Sequence, residues 1–527
     1  MKKIVILAIN AKYVHSCLAA WILAESVARY GRFCYDVKVV EANINQSDDE
    51  IAAQVAAHNP DVVGISTYIW NADKLPDIMK ILRELMPKAI FVFGGPEAAH
   101  NAEYWLEHGV DFVLRGEGER KFPALLDALY DGTQFNPEME FPADFIDPFS
   151  EACIAALKGK IAYIEASRGC PFSCAFCLSG DDAVRFFPID AVKGQLDKFA
   201  TADVRIIKFV DRTFNTDAKR AYELIEYIIG LDTANRFHFE VAADLFDEPT
   251  LALLATAPPG KIQLEAGLQS FFAPALAASN RQTNLVKAVE NLRILLRSGN
   301  IHVHVDLIAG LPHETFGDFM DSFDQAYSLG AHTLQLGFLK LLHGSALREN
   351  EKSIIHAKEP PYEIISSPWM STADLKILKK TENALQNTYN KGRFLSALNY
   401  VLLATDLRPF ALYRVLGEAV AKNGMPLEDY ALQIYRLCVK LPKVAPDILL
   451  GRMICDWMGM VKGVNMPIFM KIGDKRQLAP VLKAAEETFG RNIRRNEAAI
   501  LPSGKGVFVD SESCDPVTGL YKLHFVN

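Results

Sequence analysis

The sequence predicts an α/β chain: a doubly wound parallel sheet, then an incomplete parallel barrel, then a mainly helical C-terminal segment. Three observations lead there. Short apolar runs alternate with helical-period segments through the first 135 residues. The same alternation resumes at residue 161 and continues to about residue 340, and beyond about residue 350 amphipathic helices follow one another. A chain of 527 residues, half of them hydrophobic and 23% charged, is long enough for several cores.

In the first region, strand-length apolar runs fall at 4–9, 37–40, 62–65, 90–93 and 112–114, with helical periodicity over 18–30, 50–58, 74–86, 98–108 and 121–130. βα units in series make a sheet with helices on both faces, and ligands of such sheets sit beyond the carboxyl ends of the strands. Those ends carry Asn10-Ala11-Lys12-Tyr13, Ser66-Thr67-Tyr68, Gly94-Gly95-Pro96-Glu97 and Gly116-Glu117-Gly118-Glu119. A double glycine serves either a tight turn or the close approach of a ligand, and the hydroxyls suit a polar ligand tail. No G-x-G-x-x-G follows the first strand and no G-x4-G-K-[ST] occurs, which removes most support for nicotinamide dinucleotides and nucleoside triphosphates.

Residues 131–160, with Pro137, Pro142 and Pro148, read as a linker or surface strap. The second alternation places strands at 161–166, 205–210, 237–241, 261–268, 302–309 and 333–339, and helices most clearly at 216–229, 284–297 and 314–329. In parallel barrels, chemistry collects at the C-terminal ends of the strands. Just past the first of these strands stand Cys170, Cys174 and Cys177, spaced C-x3-C-x2-C with Phe176 before the last. Structural zinc sites usually take four ligands, and no nearby Cys or His supplies a fourth. A [4Fe–4S] cluster held by three thiolates instead leaves one iron open to a non-protein ligand. Helices are expected at 371–390, 392–404, 409–423, 427–440 and 448–461, a solvated helix face within 471–495, and two short strands at 506–510 and 519–525.

Composition narrows the function classes. A net charge of −8 and a pI near 5.9 argue against a nonspecific grip on nucleic acid. No apolar run approaches the roughly 20 residues that span a bilayer. The apolar start of the chain reads as a core strand rather than a signal peptide. Nine cysteines with only three clustered suit a reducing cytoplasm, leaving Cys17, Cys34, Cys153, Cys438, Cys455 and Cys514 as free thiols.

At the cysteine loop the chain resembles the radical S-adenosylmethionine (SAM) enzymes, whose hallmark is C-x3-C-x2-C after the first strand of a partial barrel. Cys170, Cys174 and Cys177 match by residue and spacing, and Phe176 matches the aromatic. Further motifs follow in order. Asp211-Arg212-Thr213-Phe214-Asn215 resembles the D-x-x-F-N segment of the cobalamin-linked branch. Glu265-Ala266-Gly267-Leu268-Gln269-Ser270 resembles the fourth-strand E-x-G-x-Q-S pattern, and Asp306 to Thr315 the fifth-strand D-x-I-x-G-L-P-G-E-T pattern, with His313 where glycine is usual. His343-Gly344-Ser345 replaces the common Pro-Gly-Thr after strand six. Glu314 also suits the first turn of a helix. The resemblance implies that the three cysteines hold the cluster. It likewise implies that Phe176, Asp211, Glu265, Gln269, Ser270, Asp306 and Gly310 face SAM or substrate.

The first region then resembles the Rossmann-like cobalamin-binding domain of that branch. Asn10, Tyr13, Ser66, Thr67, Gly94, Gly95, Pro96, Gly116 and Glu117 become the implied cobalamin contacts. The D-x-H-x-x-G motif, whose imidazole ligates cobalt elsewhere, is missing. His15 is expected to cap or pack at the start of the first helix rather than to bind cobalt. The tail resembles a C-terminal domain of unknown function, through Pro361-Tyr362-Glu363 and Tyr389-Asn390, which read as turn and packing residues or as substrate contacts. The implied organisation is a Rossmann-like cobalamin-binding domain over 1–135, a linker over 136–154, a partial (β/α)6 TIM-type barrel over 155–350 and a mainly helical domain over 351–527. The implied activity is reductive cleavage of SAM to a 5′-deoxyadenosyl radical followed by methylation of an unactivated carbon of a small molecule. Cyclisation or rearrangement without methyl transfer, and a non-enzymatic iron–sulfur or corrinoid sensor, are the alternatives. A flavodoxin or ferredoxin is expected as electron donor, with no membrane and no nucleic-acid partner.

Overall fold

The computed structural model describes residues 2–137, 139, 141, 144–179, 182–419, 424–460 and 465–526. Pro142, residues 420–423 of the helix expected over 409–423, and Val461 lie outside the described residues. The chain divides into two compact units. One comprises Met1–Ala242, Ser279–Gln282 and Leu339–Ile365; the other comprises Ala243–Ala278, Thr283–Phe338 and Ser366–Asn527.

The first unit opens with β1 (Lys2–Asn10), β2 (Tyr35–Asn43), β3 (Val62–Ser66), β4 (Ile90–Gly94) and β5 (Phe112–Val113), all parallel, in the order β2-β1-β3-β4-β5. Ile4 to Ile9 are buried without interruption because each face of β1 meets a different apolar layer. Ile4, Ile6 and Ala8 pack with Ala20, Val27, Phe122 and Leu125. Val5, Leu7 and Ile9 pack with Ile51, Val55, Ile78 and Leu82. The strand order reverses at β1, so the crevice favoured by ligands lies beyond the ends of β1 and β3. The single helix expected over 98–108 breaks into Pro96–His100 and Ala102–Glu107, because Asn101 sits at φ −133°, outside helical space.

The second series is β6 (Ile161–Ile164), β7 (Ser167–Cys170), β8 (Asp182–Phe186), β9 (Ile206–Phe209), β10 (Phe237–Val241), β11 (Ile262–Gln269), β12 (His302–Ala309) and β13 (Thr333–Phe338). In the first unit β6, β9 and β10 pair in parallel, in the order β10-β9-β6, and in the second unit β11, β12 and β13 do so in the order β13-β12-β11. The remaining two, β7 and β8, make an antiparallel hairpin where a helix-linked crossover was expected, and it carries the cysteine loop between its strands. In the second unit, β11 and β12 alternate strictly. Leu264, Ala266, Leu268, Val303, Val305 and Leu307 are buried on one face, and Glu265, Gln269, His304 and Asp306 are half-buried on the other. A filled barrel interior is dominated by bulky aliphatic residues. Here that face is polar and includes Gly267 and Gly337.

The chain continues through β14 (Ile355–His356) and β15 (Ile364–Ser366) into six helices: Thr372–Asn387, Leu395–Thr405, Pro409–Ala419, Leu427–Cys438, Pro446–Met460 and Lys475–Phe489. The last fills the mixed-charge 471–495 stretch and is solvated on one side only, since Val481 and Ala485 pack with Ala498, Ile500 and Phe508. The tail has three antiparallel strands rather than two: β16 (Ala498–Ile500), β17 (Gly506–Cys514) and β18 (Tyr521–Val526). No disulfide joins any of the nine cysteines. Among the described residues, no helix is long and apolar enough to cross a membrane.

Candidate functional site

The cysteine loop is held by its backbone and by donors aimed at sulfur. Cys170 and Cys174 are buried and Cys177 is half-buried. The Cys177 amide donates to Cys174 O at 2.9 Å, Ala175 N donates to Ser279 O at 2.9 Å, and Asn280 Nδ2 donates to Ser173 Oγ at 2.7 Å. Arg281 Nη1 lies 3.5 Å from Cys174 Sγ, Ser179 N lies 3.4 Å from Cys177 Sγ, and the Thr213 hydroxyl lies 3.7 Å from Cys170 Sγ. Thiolates are soft ligands stabilised by donors, so this set fits an iron–sulfur cluster, whose potential such hydrogen bonds tune. Phe176 is half-buried in the same loop.

Behind the loop, Asp211 is 2% exposed. It accepts from Ala166 N at 2.9 Å and from the Ser167 hydroxyl at 2.6 Å, fixing the corner between β6 and β7. Burial pushes its carboxyl up to about 7, against the opposing pull of those two donors. The rest of the D-x-x-F-N segment is equally internal. Phe214 packs on Phe209 and Phe239, and Asn215 exchanges two hydrogen bonds of 2.9 Å with the Ala242 backbone.

In the second unit, Glu265 and His304 stand opposite each other on β11 and β12, and Asp306 follows on the same face. His304 Nε2 is 3.0 Å from Asp306 Oδ1, and His304 Nδ1 is 3.8 Å from Glu265 Oε2. Burial raises the Asp306 carboxyl; His304 opposes this and Glu265 adds to it. Sequence reasoning missed His304, although the His-Val-His-Val-Asp alternation puts it on the face of Asp306. Gln269 sits at φ +69° with its side chain over Gly267, where a Cβ would come within 2.2 Å of Nε2. Its Oε1 has no hydrogen-bond partner among the described residues.

Ser270 turns inward. Its hydroxyl donates to Glu314 Oε1 at 2.5 Å and accepts from Phe272 N at 2.9 Å, and Ser322 adds a 3.0 Å bond to the same carboxylate. Glu314 is fully buried, which pushes it up to about 7. It precedes the cap Thr315 of helix Phe316–Ser328, so it lies outside the first turn expected for it. Gly310 is buried at φ +92°. His313 takes φ +66°, a conformation that the usual glycine adopts freely, and its ring lies tilted at 46° against Trp369 with centroids 4.6 Å apart. Asn390 bonds the Leu334 backbone twice at 2.9 Å and the Tyr389 hydroxyl donates to Ala331 O, so both act as packing residues around β13.

At the first sheet, the ends of β3 and β4 form a narrow cradle. Gly95 stands at φ +99°, and a Cβ there would lie 2.7 Å from Thr67 O. Thr67 is fully buried, with an Oγ1 that has no partner among the described residues. An orphaned hydroxyl beside a backbone that tolerates no side chain fits a ligand tail laid along Ser66, Thr67, Gly94, Gly95 and Pro96. Asn10 is buried and donates to His15 O at 3.2 Å, Tyr13 is 72% exposed, and Gly116 is exposed at φ +73°. Glu117 is engaged by Arg185 at 2.6 Å and Arg168 at 3.1 Å. Burial alone would raise its pKa, but these two arginines outweigh it and the net shift is downward. Arg168, two residues before Cys170, also meets Glu119 at 2.8 Å and Glu165 at 2.6 Å. His15 is half-buried and its Nδ1 lies 2.6 Å from the Tyr163 hydroxyl; the helix cap itself is Cys17. Burial lowers the His15 pKa.

Comparison with known proteins finds three family matches along the chain. Residues 4–126 match the B12 binding domain, 164–326 the Radical SAM superfamily and 351–499 a protein family of unknown function, DUF4080. The chain is 25% identical to 2-(S-pantetheinyl)-carbapenam-3-carboxylate methyltransferase of Streptantibioticus cattleyicolor, over 54% of this chain and 47% of that protein. It is 26% identical to the cobalamin-dependent radical SAM methyltransferase TokK of Streptomyces tokunonensis, over 56% and 49%. It is 24% identical to the hopanoid C-3 methylase of Methylococcus capsulatus, over 55% and 60%. The chain thus spans about half the length of the curated relatives it matches. In fold it is similar to OxsB, a cobalamin-dependent SAM radical enzyme solved with aqua-cobalamin bound, with a TM-score of 0.58 at 13% identity over 87% of this chain and 79% of that one. It is also similar to the radical SAM methyltransferase TsrM of Kitasatospora setae, with a TM-score of 0.56 at 16% identity over 69% and 80%. Three successive regions of the chain thus match a B12 binding domain, the Radical SAM superfamily and DUF4080.

Proposed function

We propose that this protein is a cobalamin-dependent radical SAM enzyme that methylates an unactivated carbon of a small-molecule substrate. The observation that carries the reading is the cysteine loop, three converging thiols of which Cys174 and Cys177 are each faced by a nitrogen donor, in a chain that also matches a B12 binding domain. When bound, the cluster with SAM supplies a 5′-deoxyadenosyl radical, and cobalamin supplies a transferable methyl group. Cys170, Cys174 and Cys177 would hold the cluster, and Phe176 would pack beside it. Asp211 and Ser270, both turned inward, position the strand ends rather than touch SAM. Glu265, Gln269, Asp306 and Gly310 would offer polar and backbone contacts to SAM or substrate. Asn10, Tyr13, Ser66, Thr67, Gly94, Gly95, Pro96 and Gly116 would hold cobalamin, with Glu117 anchoring its loop through arginine. A flavodoxin or ferredoxin in a reducing cytoplasm would deliver the electron.

Incubating reduced, cobalamin-loaded enzyme with SAM labelled in its methyl group, together with candidate substrates, is expected to yield labelled product and 5′-deoxyadenosine in step. Product formed with 5′-deoxyadenosine but without label would reject methylation in favour of cyclisation or rearrangement. A second expectation concerns Arg281. Its charge lies 3.5 Å from Cys174 Sγ and favours the more reduced, more negative cluster. Arg281→Gln should therefore shift the midpoint potential downward in an EPR-monitored titration, and an unchanged or raised potential would contradict this role.

A further inference from the structure

The segment Leu339–Ile365 sits with the first unit, although from residue 351 it falls within DUF4080. It closes on itself, with Leu341 N donating to Tyr362 O at 3.0 Å and Ile364 N to Leu339 O at 2.9 Å. From that closed strap, two contacts reach the two cofactor loops. Leu347 N donates to Ala175 O at 2.7 Å, between Cys174 and Phe176. The Tyr362 hydroxyl donates to Glu97, directly after Gly94-Gly95-Pro96, and both residues are only 3% exposed.

The Tyr362 ring is fixed from two sides. The Arg348 guanidinium lies 4.8 Å over it, and the His343 ring meets it edge-on at 4.9 Å. Arg348 in turn donates to Leu341 O at 2.5 Å and lies 3.0 Å from His343 Nε2. Gly344, at φ +84°, admits the His100 ring, since a Cβ there would lie 2.1 Å from His100 Nδ1. Glu97 and His100 belong to one short helix, Pro96–His100, so the strap grips that helix at both ends.

We infer that residues 339–365 are a positioning strap that ties the corrinoid loop to the cluster loop, with Tyr362 as its key residue. This rests on the assignment of the Gly94-Gly95 cradle to cobalamin made above. It gives the opening of DUF4080 a role that its match does not state: holding two cofactor loops in a fixed relation. A contact that couples two sites must work in both directions, so cobalamin binding at one loop should be felt at the other.

Hydrogen exchange on the intact, cluster-loaded protein with and without hydroxocobalamin tests this. In the unaltered protein, hydroxocobalamin should slow exchange of the Leu347 amide by on the order of tenfold, within the usual range of coupling between sites. Tyr362→Phe keeps the ring but loses the hydroxyl, and should cut that slowing to less than about twofold with iron content unchanged. Glu97→Gln keeps an acceptor for Tyr362 and should preserve the slowing, which also serves if Tyr362→Phe folds poorly. Equal slowing in Tyr362→Phe, or none in the unaltered protein while it binds hydroxocobalamin, would overturn the strap alone. Failure of the unaltered protein to bind hydroxocobalamin would overturn the cobalamin assignment and the strap with it.

Discussion

Cys174→Ala is expected to abolish the iron–sulfur chromophore and to lower 5′-deoxyadenosine formation by more than about 100-fold, because losing merely an outer partner of a metal ligand costs about 10–100-fold. Three thiolates are the minimum that this loop offers a four-iron cluster, and no other Cys lies within it to substitute. The replacement also removes the sulfur that faces Arg281 Nη1 at 3.5 Å. Cys153→Ala is the matched control. That thiol is 1% exposed and burial pushes it up to about 12, the mark of an inert structural cysteine. Iron analysis, the absorption spectrum and chromatography for 5′-deoxyadenosine after chemical reduction read both variants. Cleavage that survives undiminished in Cys174→Ala would refute the cluster assignment; loss of the chromophore in Cys153→Ala would show that the readout follows general destabilisation.

The architecture was legible wherever one residue's type reports directly on its surroundings. Continuous apolar runs such as Ile4 to Ile9 announce strands covered on both faces, and the alternation in Glu265 to Gln269 announces a strand with one polar face. The three cysteines were legible because sulfur at that spacing has few other uses. What escaped was anything set by partners distant in sequence. Asp211 and Ser270 look like ligand-facing polar residues at strand ends, yet each is turned inward, because Ser167 and Ala166 in one case and Glu314 in the other provide partners there. Glu117 likewise looks available until Arg168 and Arg185 are brought to it by the β7–β8 hairpin. Tyr362 and Glu97 are separated by 265 residues, and no local pattern could have joined them.

The corner that carries the cysteine loop should also have a distinctive pH dependence, because Asp211 is pushed up to about 7. In the unfolded chain an aspartate titrates near about 3.9, so between these values the folded protein holds a proton that the unfolded chain has released. Stability from this group is therefore present at acidic pH and is lost as pH rises through about 7, by about 2 kcal/mol between pH 5.5 and 8. Asp211→Asn cannot titrate. Its carbonyl can still accept from Ala166 N while its amide donates to Ser167, so the corner should persist without the slope. Asp211→Ala removes both partnerships, leaving a buried amide and hydroxyl, and should cost about 2–6 kcal/mol at pH 5.5, counting about 1–3 kcal/mol for each unsatisfied group, and about 2 kcal/mol less at pH 8 because alanine does not titrate. Exchange of the Ala166 amide under native conditions reads the opening of this corner directly, since that amide donates to Asp211. The advantage of the unaltered protein over Asp211→Asn should shrink by about 2 kcal/mol from pH 5.5 to 8. Parallel profiles over that range would mean that Asp211 does not titrate there, and the cysteine loop would then have no pH-sensitive support from this residue. Glu314, pushed up to about 7 by the same burial, gives the same sign at the Ser270 corner, so Glu314→Gln should flatten exchange at the Phe272 amide alone.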